Sequence, residues 1–182
     1  NPADVAVGDT YGLYSRGEEV VHPHTGKKVG TMMHNLGYLQ VTKLEGETVI
    51  AKIGKVYREV TRGAELFEYA PQREELVLQQ SAMVLDGYVI DSNDKRLGLA
   101  VSETIFIDLG REDGLTSGNM LYISRPRQVS DEMLKQAGDL DLPDEVLGAA
   151  VVVETRNRTA SALIIKSVSD INVGDQVTLT TE

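Results

Sequence analysis

Apolar and polar residues alternate through most of this chain with a period of two. Between Leu36 and Leu66 the apolar positions are Leu39 and Val41, then Val49, Ala51 and Ile53. That spacing puts one set of side chains on a single face of a half-buried strand and does not suit a helix. Glu45-Gly46-Glu47 predicts a hairpin turn between the two runs, and Val60-Thr61-Arg62-Gly63 predicts a second reversal. The same pattern returns from Leu147 to Val177. Leu36-Gly37 aligns with Leu147-Gly148, Ala51 and Ile53 with Ala162 and Ile164, Glu59-Val60 with Asp170-Ile171, and Gly63 with Gly174. All of these pairs share one gap-free offset, 37 to 148, or 111 residues. The hairpin turn is matched by Arg156-Asn157-Arg158, so each copy offers a Gly or an Asn where a positive φ is easily adopted.

The pattern therefore predicts an all-β protein, a tandem repeat of two small β-barrel-like units of the SH3 or OB kind. Residues 1–71 form the first and 72–182 the second, with the boundary near Pro71, where Ala70 to Gln80 breaks the composition. Leu39, Val41, Ala51, Ile53 and Val60 should face one core, and Ala150, Val152, Ala162, Ile164 and Ile171 the other. Thr10 to Tyr14 reads as a short strand, Arg16-Gly17-Glu18 as a turn, Val20-Val21 as a short run and Val29 to Met33 as the next strand. His22 to Lys28 is a loop, because Pro23 fixes its own φ and holds His22 extended. Gly87 to Asp91 and Thr104 to Gly110 are strands, with turns at Ser92 to Lys95 and Arg111 to Gly114. Four glycines, Gly8, Gly63, Gly118 and Gly174, each precede an apolar strand, three of them followed by Asp or Asn, and are read as turns rather than ligand loops. One short helix is expected, Ser130 to Gln136, N-capped by Ser130 with Asp131 and Glu132 in its first turn and Gly138 past its end. It lies in a helical insertion near 130–138, at the site that His22 to Lys28 occupies in the first copy.

Composition narrows the partners. The 18 basic and 28 acidic residues give a net charge of −10, a field that repels a phosphate backbone and disfavours nucleic acid and anionic lipid. No run reaches the roughly 18 apolar residues of a spanning helix. Cysteine is absent, which removes disulfides, thiolate metal sites and cysteine nucleophiles and suits an oxidising compartment. The chain opens at Asn1 rather than Met and carries no signal peptide, as a processed or trimmed chain would.

Candidate chemistry is sparse. His22 and His24 are two apart, on one face of an extended segment, and His34 is the third histidine. A zinc shell would need help from Glu18 or Glu19, so an exposed loop pair is the preferred reading and no metal ligand is assigned. Glu18-Glu19, Glu74-Glu75 and Glu112-Asp113 read as solvated charge in turns or linkers. No Gly-x-Ser-x-Gly elbow, phosphate-cradling loop or local Ser, His, Asp set is present, so no catalytic or cofactor-binding residue is assigned and no cofactor is expected. With 7 Tyr, 2 Phe and no Trp, stacking platforms for sugars are few.

Val7-Gly-Asp-Thr-Tyr11 is locally similar to the opening of the LysM peptidoglycan-binding module. Val7-Gly-Asp9, Val21-His-Pro-His-Thr-Gly26, Gly30, Leu36-Gly37 and Ala51-Lys-Ile53 together resemble the β-rich region that follows LysM modules in Gram-negative envelope proteins. Ile105-Phe-Ile-Asp-Leu-Gly-Arg-Glu-Asp-Gly114, Gly118, Leu147-Gly148 and Val173-Gly-Asp175 look like the C-terminal domain of the flagellar assembly protein T group. The resemblance implies a periplasmic or envelope-associated, non-enzymatic interaction module whose partner is an envelope protein or peptidoglycan. Two other readings are a hydrolase of envelope polysaccharide and a pair of ligand-binding barrels.

Overall fold

The computed structural model describes residues 5–69, 75–93, 98–127 and 142–181. The expected helix at Ser130 to Gln136 and the boundary at Pro71 lie outside them. Within the described residues the chain is all-β. Ten strands follow in order: β1 (Thr10–Val21), β2 (Lys28–Glu45), β3 (Thr48–Val56), β4 (Glu65–Glu68), β5 (Leu85–Ser92), β6 (Thr104–Ile107), β7 (Met120–Arg125), β8 (Glu145–Thr155), β9 (Ala160–Ser167) and β10 (Gln176–Leu179). Among the described residues one 3-10 turn spans Arg111–Asp113. The chain divides into two compact units. Residues 1–20 and 28–74 make the first; residues 75–182 make the second, together with the β1–β2 loop, Val21–Lys27.

The second unit is a closed antiparallel barrel in the order β10-β5-β6-β9-β8-β7. Closure leaves no strand edge, and in a barrel this narrow side chains fill the interior. Ile105, Ile107, Leu121, Ile123, Ile164, Ile171 and Val177 are fully buried, as are Ala150, Val152 and Ala162. All five residues expected in this core are there. Burying each of the large aliphatic side chains contributes about 1.5–3 kcal/mol against exposure, before chain entropy is counted.

The first unit is a four-stranded sheet, β3-β2-β1-β4. Its expected core is only half formed. Val41 is buried and Leu39 and Val60 are half-buried, but Ala51 is exposed and Ile53 is 45% exposed. The physical reason is coverage: in the barrel β5 and β6 pair with β10 and β9 and lie over that side of the core, whereas no described strand pairs with the outer edges of β3 and β4.

Two local expectations are corrected. Arg16-Gly17-Glu18 is not a turn; β1 and β2 run unbroken through the short strands read from sequence. Gly17 stands in the strand because a Cβ there would lie 2.7 Å from His34 Nε2 and 3.1 Å from the Met32 carbonyl oxygen, so the glycine serves close approach rather than reversal. At the hairpin tips, Gly46 takes φ +59° while Asn157 keeps a negative φ. There the Arg156 amide donates to the Thr159 carbonyl at 2.8 Å, and Arg111 Nη2 donates to Asn157 Oδ1 at 2.8 Å.

The hairpins β2–β3 and β8–β9 carry the same cross-strand register. On β2–β3, Gly37 faces Val56, Tyr38 faces Lys55, Leu39 faces Ile53 and Val41 faces Ala51, with irregularities after Tyr38 and after Val41. On β8–β9, Gly148 faces Ser167, Ala149 faces Lys166, Ala150 faces Ile164 and Val152 faces Ala162, with irregularities after Ala149 and after Val152. Bulges re-aim side chains and are unusual enough to mark a register. One turn form recurs three times. Asp9, Asn119 and Asp175 accept the amides of Ala6, Thr116 and Asn172 at 2.7, 2.9 and 2.7 Å. The glycines before them, Gly8, Gly118 and Gly174, take φ +100°, +96° and +99°, a conformation that costs a Cβ-bearing residue strain. These glycines, with Gly63 at φ +94°, are turn residues as expected.

Candidate functional site

Aromatic residues gather in the first unit, which holds six of the nine: Tyr11, Tyr14, Tyr38, Tyr57, Phe67 and Tyr69. Alternation along β1 and β4 sorts their directions. Leu13 lies opposite Leu66 on one face; Gly12 lies opposite Phe67 and Tyr14 opposite Glu65, on the other. The Tyr14 ring folds back over Gly12, where a Cβ would be 2.7 Å from it, and meets Phe67 edge to face with centroids 5.4 Å apart. Tyr38 lies over Gly54 in the same way, with 2.2 Å to a notional Cβ, and packs on Tyr69 at 4.8 Å. Aromatic rings laid over strand glycines are a recurrent means of holding a ring flat on a sheet. Lys55 Nζ stands 5.1 Å from the Tyr57 ring centroid. Partial burial, and after it the neighbouring hydroxyls of Tyr38, Tyr57 and Tyr14, hold the Tyr69 phenol above its ordinary range. Phe67 and Tyr57 remain exposed. The composition understated this cluster: few aromatics in total says nothing of their gathering on one sheet.

The histidines are placed differently. His22 and His24 sit in the loop Val21–Lys27 of the second unit. His22 Nε2 lies 2.9 Å from Asp108 Oδ2, while its Nδ1 accepts the amides of His24 at 3.2 Å and Thr25 at 3.3 Å. An acceptor at Nδ1 leaves the proton of the neutral ring on Nε2, which therefore donates to Asp108. Asp108 Oδ1 accepts the Tyr88 amide at 2.6 Å. His24 Nε2 donates to the Gly174 carbonyl oxygen at 2.8 Å and its ring packs 4.2 Å from that of Tyr88. The expected exposed pair is thus half wrong: the His22 side chain is only 12% exposed. His34 is in β2, apart from them, against Gly17. Glu19 pairs with Lys28, and Asp113 caps the 3-10 turn by accepting the Gly110 amide at 2.8 Å. Among the described residues no three of His, Asp and Glu converge as a metal shell would require.

Both nitrogens of His22 already have partners, and a metal would have to displace them. Zinc added before a thermal melt is expected to leave the melting temperature unchanged. A chelator-reversible rise that vanishes in His22→Ala/His24→Ala would show that these rings leave Asp108 and Gly174 for the metal.

Sequence reasoning passed over one further group. Arg125 Nε and Nη2 reach Asp175 at 2.6 and 2.8 Å, a two-point clamp on a carboxylate that is nearly buried. The hydrogen bond to Asp175 raises the Arg125 pKa above its ordinary value. Among the described residues no helix is long and apolar enough to cross a membrane. No protein-family model matches this chain, and no curated protein does.

Proposed function

We propose that this chain is a non-catalytic interaction module of the bacterial cell envelope, the accessory region of a peptidoglycan-associated protein of the LysM type, and that it works by surface contact in the periplasm. The observation that carries the reading is the aromatic cluster on the first unit. The exposed Phe67 and Tyr57 rings, beside the half-buried Tyr14 and Tyr38 rings laid over strand glycines, offer apolar area with hydroxyl tips, a surface that stacks on sugar rings or seats a partner's side chains. Loops on a β scaffold supply the polar contacts beside it. The net charge of −10 favours a basic partner and steers it less as salt rises. The matched register and bulges support a second element of this reading, that the chain is a tandem repeat in which β3-β2-β1-β4 corresponds to β9-β8-β7-β10.

Purified protein mixed with peptidoglycan sacculi, and separately with envelope extract, should sediment with the wall or retain an envelope partner. Tyr57→Ala with Phe67→Ala should weaken that retention about tenfold or more, as loss of two aromatic anchors does at other interfaces. Retention untouched by these changes would remove the cluster from the reading. Release of soluble glycan fragments that stops on substitution of one carboxylate would replace it with a hydrolase.

A further inference from the structure

The barrel of the second unit contains the first unit's sheet order and two strands more. Read around the ring, β9-β8-β7-β10 stands where β3-β2-β1-β4 stands, and β5 and β6 fill the gap between β10 and β9. Ile105 and Ile107 of β6 pair with Ala162 and Ala160; Leu85 and Gly87 of β5 pair with Leu179 and Val177. The same register in the first unit leaves Val49, Ala51, Ile53 and Leu66 at the matching positions. Ile53 is 45% exposed where Ile164 is fully buried, and Leu66 is 53% exposed where Val177 is fully buried. An apolar strand face bounded by two edges that no described strand pairs with is a template for added strands.

We propose that this face is a strand-acceptor site closed by a two-stranded antiparallel β-ribbon of the same polypeptide, lying upstream of the Ala6–Asp9 turn as β5 and β6 lie upstream of the Thr116–Asn119 turn. Connectivity selects this occupant. In the second unit the order along the chain is β5, β6, turn, β7, β8, β9, turn, β10. The first unit has the turn at Ala6–Asp9, then β1, β2 and β3, then the Gly63 turn and β4. Ile107 stands nine residues before Thr116, so the ribbon's second strand ends about that far ahead of Ala6, upstream of residue 1 in this numbering. A second copy fits less well, since the gap takes two strands and a facing copy would offer four. The ribbon's chemistry follows from the slot. One strand runs antiparallel along Val49–Lys52, with apolar residues against Val49 and Ala51. The other runs along Glu65–Glu68, with a small residue against Leu66 and a polar one against Glu68, which replaces the apolar Leu179.

The proposal rests on the repeat and is independent of the aromatic cluster, whose Tyr14, Tyr38 and Phe67 rings lie on the opposite face. Amide hydrogen exchange on residues 1–182 and on the polypeptide as its gene encodes it tests it. In the encoded polypeptide the amides of Val49–Lys52 and Glu65–Glu68 should exchange about 100-fold more slowly than in residues 1–182, with β7 to β9 unchanged. Ile53→Asp should abolish that protection, and Ile53→Thr, which keeps a strand-forming residue, should reduce it. Equal exchange in the two forms overturns the proposal. So does protection in residues 1–182 that rises with protein concentration, which assigns the face to a second copy. Wall sedimentation of the same samples reads the proposed function separately.

Discussion

Ile164→Ala should destabilise the second unit by about 3 kcal/mol, whereas Ile53→Ala in residues 1–182 should cost about 1 kcal/mol or less. The two isoleucines hold the same register position, opposite Ala150 and Leu39 respectively. Their surroundings differ. Ile164 is fully buried in a closed barrel, so truncation leaves a cavity that the neighbouring strands cannot collapse into without breaking ladder hydrogen bonds. Ile53 is 45% exposed, so water already reaches it and little apolar contact is lost. Two units need not unfold in one step, so a single denaturation midpoint would mix them. Exchange of amides in β9 and in β3, followed separately against denaturant, gives each its own free energy. Comparable losses at the two sites would mean that the first unit's sheet face is covered in solution.

That contrast also marks where sequence stopped being informative. Alternation along Leu39–Val41, Val49–Ile53 and their partners predicted strands, and the shared offset predicted matching hairpins. Both signals are local, a period and a spacing, and the chain displays them directly. Coverage is not local. Whether Ile53 lies under other strands depends on which segment pairs with the outer edge of β3, and nothing at residue 53 encodes that. The continuous run of β1 was misread for a related reason. Gly17 looks like a turn residue in a list of letters, but its role depends on His34, seventeen positions away and on the next strand. Asp108 and Tyr88 were passed over because the first is hydrogen-bonded to His22, 86 residues away, and the second meets the histidines only through its ring and donates its amide to Asp108. The Gly-Asp pairs were legible as turns, since the side chain of the fourth residue satisfies the amide of the first. The second task of Asp175, holding Arg125, was not.

Arg125→Met should cost the second unit roughly 2–3 kcal/mol, toward the low end because the guanidinium is about a third exposed and water screens it. The loss arises mainly from what is left behind. Asp175 is 5% exposed and would lose both guanidinium donors, while the Asn172 amide still donates to it at 2.7 Å. Arg125→Lys restores a charge but not two parallel donors, and should recover part of the loss. The turn held by this carboxylate also meets β5: the Gly174 amide donates to the Val89 carbonyl and the Val89 amide to the Asp175 carbonyl, at 2.8 and 2.9 Å. Loosening should therefore show first as faster exchange at Val89 and Gly174. Under the proposed repeat, Tyr14 facing Glu65 matches Ser124 facing Gln176, which puts Ser15 and Ala64, a pair that cannot form a clamp, where Arg125 and Asp175 stand. Arg125→Ser with Asp175→Ala should thus be less destabilising than the sum of the two single changes, by about 1–2 kcal/mol of coupling in a double-mutant cycle. Additive losses would mean that the pair is only a surface contact, and that the amide caps alone hold the turn.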